Sequence, residues 1–460
     1  MNSVKYLISS LFCVAVVLFF GLAYPHHLHY QEQFQLFLFD SNYVWDIVKQ
    51  PGGVADLLGR FCTQFFLYAW VGAIIIGILL TVVQLLTLQL IGSSKLYGLS
   101  FLPSFFLWLF LLDEHALMGG VWAVLLTLLA VWGLSKLPKD WVRYIVVIVA
   151  LPILYWMVGS YWSGSHYYRY PKVFPTLLYV AWLLALAIPL LVYVCRKWLK
   201  DSKGLVIPLC SFALVAVVMG AVVWKNANFK AEKVMQYDFM ASHQLWNRII
   251  ETANAEKPNN QIGVTVQNLA LAMRGQLTQH MFDYHQNGIA GLLPDVQSDA
   301  VSPMPTAEAF YQLGMIYVAQ RTVFEAQEAI LDFQKSGRCY KRLAQTNLII
   351  GSYEVARKYL MALQKTLFYR DWANETLPLL GDEEAIAKHP EYGRLRKSLY
   401  KDSFLFSDHV TPEMLEDLYF SNTDNMLALE YLKAYYMLTN NREGYAKLLV
   451  KLKNNEEVSE

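Results

Sequence analysis

The chain has 460 residues, is 55% hydrophobic and carries a formal net charge of +1, with a mean hydropathy of +0.29. Those totals place it outside ordinary soluble enzymes, and the absence of a basic stripe argues against a nucleic-acid partner. Of five cysteines, Cys13, Cys62, Cys195 and Cys210 lie in or beside apolar runs and Cys339 stands alone. With no C-x-x-C or Cys/His zinc spacing, neither a disulfide framework nor a structural zinc is signalled.

The charges are unevenly spread. Residues 1–224 hold 13 Lys+Arg and 8 Asp+Glu, whereas residues 225–460 hold 25 and 29. The expected fold is therefore all-α: a polytopic helical membrane domain over 1–224 followed by a soluble helical domain over 225–460. A bilayer crossing needs roughly 20 mainly apolar residues. Seven segments meet or approach that: about 6–24, 62–90, 97–112, 116–134, 144–161, 175–195 and 205–224. The third is short and contains Pro103, so it either crosses or forms a re-entrant hairpin with the fourth. Pro152, Pro189 and Pro208 fall inside later segments, where neighbouring helices can satisfy the freed carbonyls. With the amino terminus inside, the inner loops carry nine Lys/Arg and the outer loops four. This bias sets the orientation, and seven crossings would place the tail outside the cytoplasm. Gly21-Leu22-Ala23 is also a passable cleavage site, though the first apolar stretch is long for a signal peptide.

Taken in order, the outer loops hold most of the chemistry-bearing residues. The first, about 25–61, begins His26-His27-Leu28-His29-Tyr30-Gln31-Glu32. Phe34, Phe37 and Leu38 follow at helical spacing, then Asp40-Ser41-Asn42, then Val44, Ile47 and Val48, and Pro51-Gly52-Gly53 makes a turn. Two short amphipathic helices lying in the membrane interface fit this pattern. Their acids, Glu32, Asp40, Asp46 and Asp56, are either a solvated face or a site. His26 and His29, three residues apart, would share a helical face with Tyr30 or Glu32 and could hold a divalent metal; an interfacial polar cluster is the plainer alternative. The second loop is little more than Asp113-Glu114-His115, and adjacent carboxylates at a span boundary are costly. The third reads Tyr161 to Lys172 and is rich in rings. It is either an anchoring aromatic belt or a place where Tyr168 stacks on a sugar or lipid while Arg169 and Lys172 hold phosphate.

One span, a long outer loop bearing acids, an acidic pair in the second loop and a soluble outer domain together resemble the C-type lipid-linked-sugar glycosyltransferases. Gln31-Glu32-Gln33-Phe34, Pro51-Gly52-Gly53, Gly59-Arg60-Phe61 and Tyr68-Ala69-Trp70 add to the likeness, which covers about 1–224. The resemblance implies that Glu32 or Asp40 acts as base or aligns the acceptor, and that Asp113 and Glu114 assist or hold a metal. This chain has fewer spans than most such enzymes. As a whole it also resembles uncharacterised bacterial envelope proteins with several spans and a repeat-bearing outer domain, which implies no activity.

The tail is periodic at helical spacing, with breaks near 257–261 and 293–305. Phe310, Leu313, Gly314, Tyr317 and Ala326 align with Tyr340, Leu343, Ala344, Asn347 and Ala356 at an offset of 30. Gly351 and Tyr353 complete the second copy. Further copies are expected around Leu269 to Met273, after Trp246, and at Leu432 to Ala446. The pattern resembles the tetratricopeptide repeat, whose concave surface binds a peptide or protein; generic antiparallel helices, or an array that only caps the membrane domain, are the alternatives. No Gly-rich phosphate loop, H-E-x-x-H or G-x-S-x-G occurs in it.

Two functions follow as expectations. The first is a transferase at the outer face of a bacterial inner membrane, moving a sugar from a polyprenyl-phosphate donor, with the tail receiving the acceptor. The second is a non-catalytic scaffold that anchors the tail to the membrane. A transporter would show a hydropathy repeat and charges inside spans, and neither is present.

Overall fold

The computed structural model describes residues 2–92, 96–164, 175–194, 206–295, 302–330, 334–399 and 411–459. All regular structure among them is helical. The chain divides into two compact units: residues 1–232 with 331–334 and 365–367, and the remainder.

Among the described residues of the first unit, six helices are long and apolar enough to cross a membrane. They are α1 (Asn2–Leu18, continued by a wider turn through Ala23), α5 (Ala69–Ile91), α7 (Met118–Ser135), α8 (Asp140–Ser163), α9 (Thr176–Val194) and α10 (Val206–Asn226). The third predicted crossing is shorter, a 3-10 turn over Tyr97–Phe101 leading into α6 (Leu102–Phe110). It nevertheless runs from one end of the bundle to the other. At its start the Tyr97 hydroxyl donates to the Lys5 carbonyl (2.7 Å). Just past its end the Leu111 carbonyl lies 2.9 Å from His27 Nε2, beyond the far end of α1. The rise is about 24 Å, short of the roughly 30 Å hydrocarbon core. Shortness is tolerated because Tyr97, Phe101, Phe105, Leu107 and Phe110 are all buried in the bundle, so other helices, not lipid, surround the backbone ends. Among the described residues, this segment and the six longer helices run in alternating directions. Gly98 N–H donates to Ser211 Oγ near the start of α10 (3.1 Å). Asn228 N–H, beyond its finish, donates to the Tyr24 hydroxyl (3.1 Å).

Ser9, Gln84 and Ser100 inside the bundle are uncharged and satisfy one another. Ser9 donates to Gln84 Oε1 (2.8 Å), and Gln84 Nε2 donates to Ser100 Oγ (2.9 Å). Ser100 in turn donates to the Tyr97 carbonyl (2.7 Å). A closed network of this kind fixes which faces of α1, α5 and Tyr97–Phe101 meet.

Between α1 and α5 lie three short helices: α2 (Pro25–Glu32), α3 (Ser41–Val48) and α4 (Gly53–Thr63). Residues 35–40 carry no helix, so the expected helical spacing at Phe34, Phe37 and Leu38 is not realised. Phe34, Leu36 and Phe37 are buried all the same. Phe37 is held edge-on against Phe39, Tyr43 and Phe61, and ring packing decides that conformation. By contrast, α3 buries none of its residues and leaves Trp45 66% exposed, which suits a helix lying in a membrane interface.

The second unit stacks short helices whose turns share one device. Met315 N–H donates to the Phe310 carbonyl (2.9 Å) after Gly314, and Ser352 N–H to Asn347 (2.8 Å) after Gly351. The same five-residue back-bond follows Gln244, Gly275 and Asn440, and all five of these preceding residues have positive φ. Each closes a helix with the left-handed residue that frees the terminal carbonyls for capping. The hairpins are α11 (Phe229–Ser242) with α12 (Trp246–Glu256), α13 (Gln261–Met273) with the one-turn α14 (Leu277–His280), and α15 (Pro303–Leu313) with α16 (Ile316–Ala329). They continue with α17 (Gly337–Ile350) and α18 (Tyr353–Leu363), and after α19 (Arg370–Thr376), α20 (Glu383–Lys388), α21 (Pro390–Lys397) and α22 (Thr411–Phe420) with α23 (Met426–Leu438) and α24 (Arg442–Ser459). The matched glycines 314 and 351 put the offset between the two central hairpins at 37 residues, not 30. A slip of seven is close to two helical turns, so it leaves the apolar face unchanged; only the caps fix the register. In the 37-residue register Ala319 matches Ala356 and Val323 matches Leu360, and all four are fully buried.

Candidate functional site

The predicted site residues Glu32, Asp40, Asp113 and Glu114 lie in the first unit, at the end of the bundle reached by α2. Pro25 at its first turn sets the backbone angle, and the N–H groups of His26 and His27, which have no acceptor within the helix, follow. Glu232, on α11, caps them: its two carboxylate oxygens accept from His26 N (2.7 Å) and His27 N (2.8 Å). A carboxylate against a helix amino terminus gains from both the orphan donors and the macrodipole. Burial nonetheless pushes its pKa up to about 7, against the pull of the two N–H bonds.

His27 is fully buried. Since a carbonyl can only accept, the 2.9 Å contact with Leu111 O places the ring proton on Nε2. Burial pulls its pKa down to about 4, the Leu111 bond and nearby Asp113 opposing weakly.

Gln31 joins the first loop to the second, donating through Nε2 to the Asp113 carbonyl (3.1 Å) and more weakly to Ala116 (3.5 Å). Asp113 itself caps a turn, accepting from His115 N–H (2.8 Å). Glu114 and His115 line a cavity of about 10 Å3 with Gln31, Phe34, Gln35 and Thr63. That is room for about one water. Glu32 is buried at the end of α2. Asp40 is the amino-terminal cap of α3, accepting from Asn42 and Tyr43 N–H (3.0 and 3.2 Å), and pairs with Lys365 of the same unit (2.5 Å). The structure thus brings Asp113 and Glu114 to the α2 side of the loop, while Asp40 is occupied in capping. Tyr168, Arg169 and Lys172 lie outside the described residues. His26 and His29 rings stand 5.7 Å apart, but among the described residues no group of three or more His, Cys, Asp or Glu is placed to hold a metal ion.

Sequence reasoning missed the strongest polar contact at this end. Arg60 grips Asp56 through Nη2 (2.7 Å) and Nε (2.8 Å) with both side chains nearly buried. Tyr161 donates to the other Asp56 oxygen (3.3 Å). The Asp-x-x-x-Arg spacing was the available signal, since residues four apart share a helix face. Nearby, Gly52 N–H donates to the Trp156 carbonyl (2.7 Å) and Trp156 Nε1 donates to Val48 O (2.8 Å). Tyr161 and Trp156, both on α8, thereby fasten α4 and the end of α3 to the bundle.

A family model described as Family of unknown function (DUF6057) matches residues 1–165 and 161–460. The chain belongs to this family. Its membership spans both the apolar half and the tail, so the two halves are parts of one family architecture. No curated protein and no solved structure matches the chain.

The Glu232 and His27 shifts predict a pH signature. Glu232 is raised above its ordinary 4.5, so folding takes up a proton and stability falls as pH rises from about 4.5 to 7. His27 is lowered from 6.5, so stability falls as pH drops from 6.5 toward 4. The two slopes oppose each other between 4.5 and 6.5. Glu232→Gln removes one of them. Its stability relative to wild type should climb by up to about 3 kcal/mol between pH 4.5 and 7. Thermal unfolding of both proteins in detergent across that range measures it, and a difference that stays constant with pH refutes the assignment.

Proposed function

We propose that the protein is a membrane-anchored scaffold of the bacterial cell envelope, with its amino terminus cytoplasmic and its helical tail presented outside the inner membrane to a protein partner. One observation carries the reading. Asp40, Asp113 and Glu232 at the α2 end of the bundle are spent on capping and turn formation, beside a cavity the size of one water. A sugar-phosphate donor needs an open cleft of hundreds of Å3. Orientation is supported by the nine-to-four bias of Lys/Arg between loops together with seven alternating passes. The tail adds a half-exposed aromatic pair on one face of α16, Tyr317 and Phe324, beside a shallow depression of about 300 Å3 flanked by Arg321 and Glu325.

The transferase reading has one observation in its favour: the Gln31 bonds hold the two acid-bearing loops together. Complementation of a deletion strain separates the two. A scaffold predicts that Glu32→Gln, Asp113→Asn and Glu114→Gln restore growth and the envelope glycan and lipid-carrier profile to wild type. Loss of a glycan in any of these variants, at undiminished protein level in the membrane, overturns the scaffold and supports glycosyl transfer.

A further inference from the structure

An open cleft of about 310 Å3 in the second unit gathers polar side chains that neither reading uses. Its volume reaches the lower bound of small-molecule sites, roughly 300 Å3. The frame is rigid although it contains no long helix. Gln276 N–H bonds back to Leu271 O (2.8 Å), with Gly275 in the left-handed region, and this turns the chain off α13. The buried Asn268 then clamps the following loop, donating to Gln286 Oε1 and Gly291 O (both 2.9 Å). Gln286 Nε2 donates to Met281 O (2.6 Å), and Leu277 and Met281 are fully buried beneath. Side chains on such a loop are preorganised rather than free to scatter.

The cleft is lined by Asn254, Lys257, Gln276, His280, Asp283 and Tyr284. His280 Nδ1 lies 2.9 Å from Asp283 Oδ2, so in the neutral ring the proton sits on Nδ1 and Nε2 is left as an acceptor. Tyr284 donates its hydroxyl proton to Asn254 Oδ1 (2.7 Å). That leaves the phenol oxygen to accept and the Asn254 amide N–H2 to donate. Lys257 makes no ion pair among the described residues and adds donors, as does the Gln276 amide. Ile250 and Leu271 supply an apolar wall.

From this arrangement we infer that the cleft binds a neutral, hydroxyl-rich ligand of monosaccharide size, a sugar unit. Each sugar hydroxyl both donates and accepts, which matches alternating donors and acceptors, while its C–H faces match the apolar wall. One ammonium and one carboxylate cancel, so a charged ligand of either sign would face a like charge in the cleft. The inference stands independently of the scaffold reading.

The test uses the full chain in a detergent without sugar head groups, with binding followed by saturation-transfer NMR and calorimetry. The probes are D-glucose, D-galactose and N-acetylglucosamine, with inorganic phosphate and glucuronate as charged controls. At least one neutral sugar should bind, and phosphate should not displace it. Asp283→Ala and Asn254→Ala, both at exposed positions and checked for unchanged unfolding temperature, should each weaken binding about tenfold. Tighter binding of cellobiose or chitobiose marks a glycan end as the natural source, and equal or weaker binding marks a free sugar. No neutral sugar bound at about 50 mM, on the order of the weakest useful affinity, overturns the inference. So does binding that survives both substitutions, or preferential binding of phosphate.

Discussion

Gly59→Ala should lower the unfolding temperature of the membrane unit by about 6–10 °C, an expected cost of about 3 kcal/mol. Helix propensity alone predicts the opposite sign, a gain of up to about 1 kcal/mol for alanine inside a helix. Packing wins because α4 and α7 touch backbone to backbone. A Cβ on Gly59 would fall 2.2 Å from Gly119 N and 2.6 Å from its Cα. Backbone cannot rotate aside, so the helices must part. Parting them pulls on Asp56, four residues from Arg60 and hydrogen-bonded to Tyr161. Relief on the far side is closed too, since a Cβ on Gly119 would lie 1.9 Å from the Tyr161 hydroxyl. Thermal unfolding in detergent, followed by gel filtration, reads the effect. A midpoint at or above wild type would show that the crossing is looser than described.

Arg342→Ala should cost about 3–5 kcal/mol in the second unit, because it strands a buried charge. Arg342 Nη2 lies 2.5 Å from Glu308 Oε2, the carboxylate being almost fully buried. The guanidinium also stacks on the Tyr311 ring, 3.7 Å from its centroid. Gln312 Nε2 donates to the other Glu308 oxygen (2.8 Å) and Arg394 Nη2 donates to Gln312 Oε1 (2.7 Å). Removing the cation leaves Glu308 with one amide donor, far less than a carboxylate needs. Glu308→Gln combined with Arg342→Met should recover most of the loss, since an uncharged pair of similar volume avoids the stranded charge. Equal instability of the single and double variants would show that the loss comes from packing on Tyr311 instead.

How far the sequence could be read depends on the kind of information each element needs. Predicted spans at 116–134 and 175–195 match α7 and α9 to within a few residues, since charge or turn residues bound those runs. The run from Cys62 to Leu90 hid a break. Its first residues finish α4 and form a 3-10 turn before α5 begins at Ala69, and the connecting backbone there is as apolar as the span. Asp40 could have been read as a helix cap from Asp40-Ser41-Asn42 alone, because a cap is a local bond. Glu232 could not, since its partners are 205 and 206 positions away. His280 and Asp283 were also passed over; their i,i+3 spacing was visible, but nothing local said that Asn254 and Tyr284 would share their cleft.

By itself, the amino-acid order determined what must be buried in hydrocarbon, where the polar tail starts, and that both are helical. Those follow from transfer free energies and a 3.6-residue period, which act over a few turns. Tertiary structure decided that a 14-residue segment runs from one end of the bundle to the other, that Glu232 caps α2, and that Asn254 and Tyr284 meet beside His280 and Asp283. Each of these turns on a partner far away in the chain, and pairing over such distances is settled only when the helices pack.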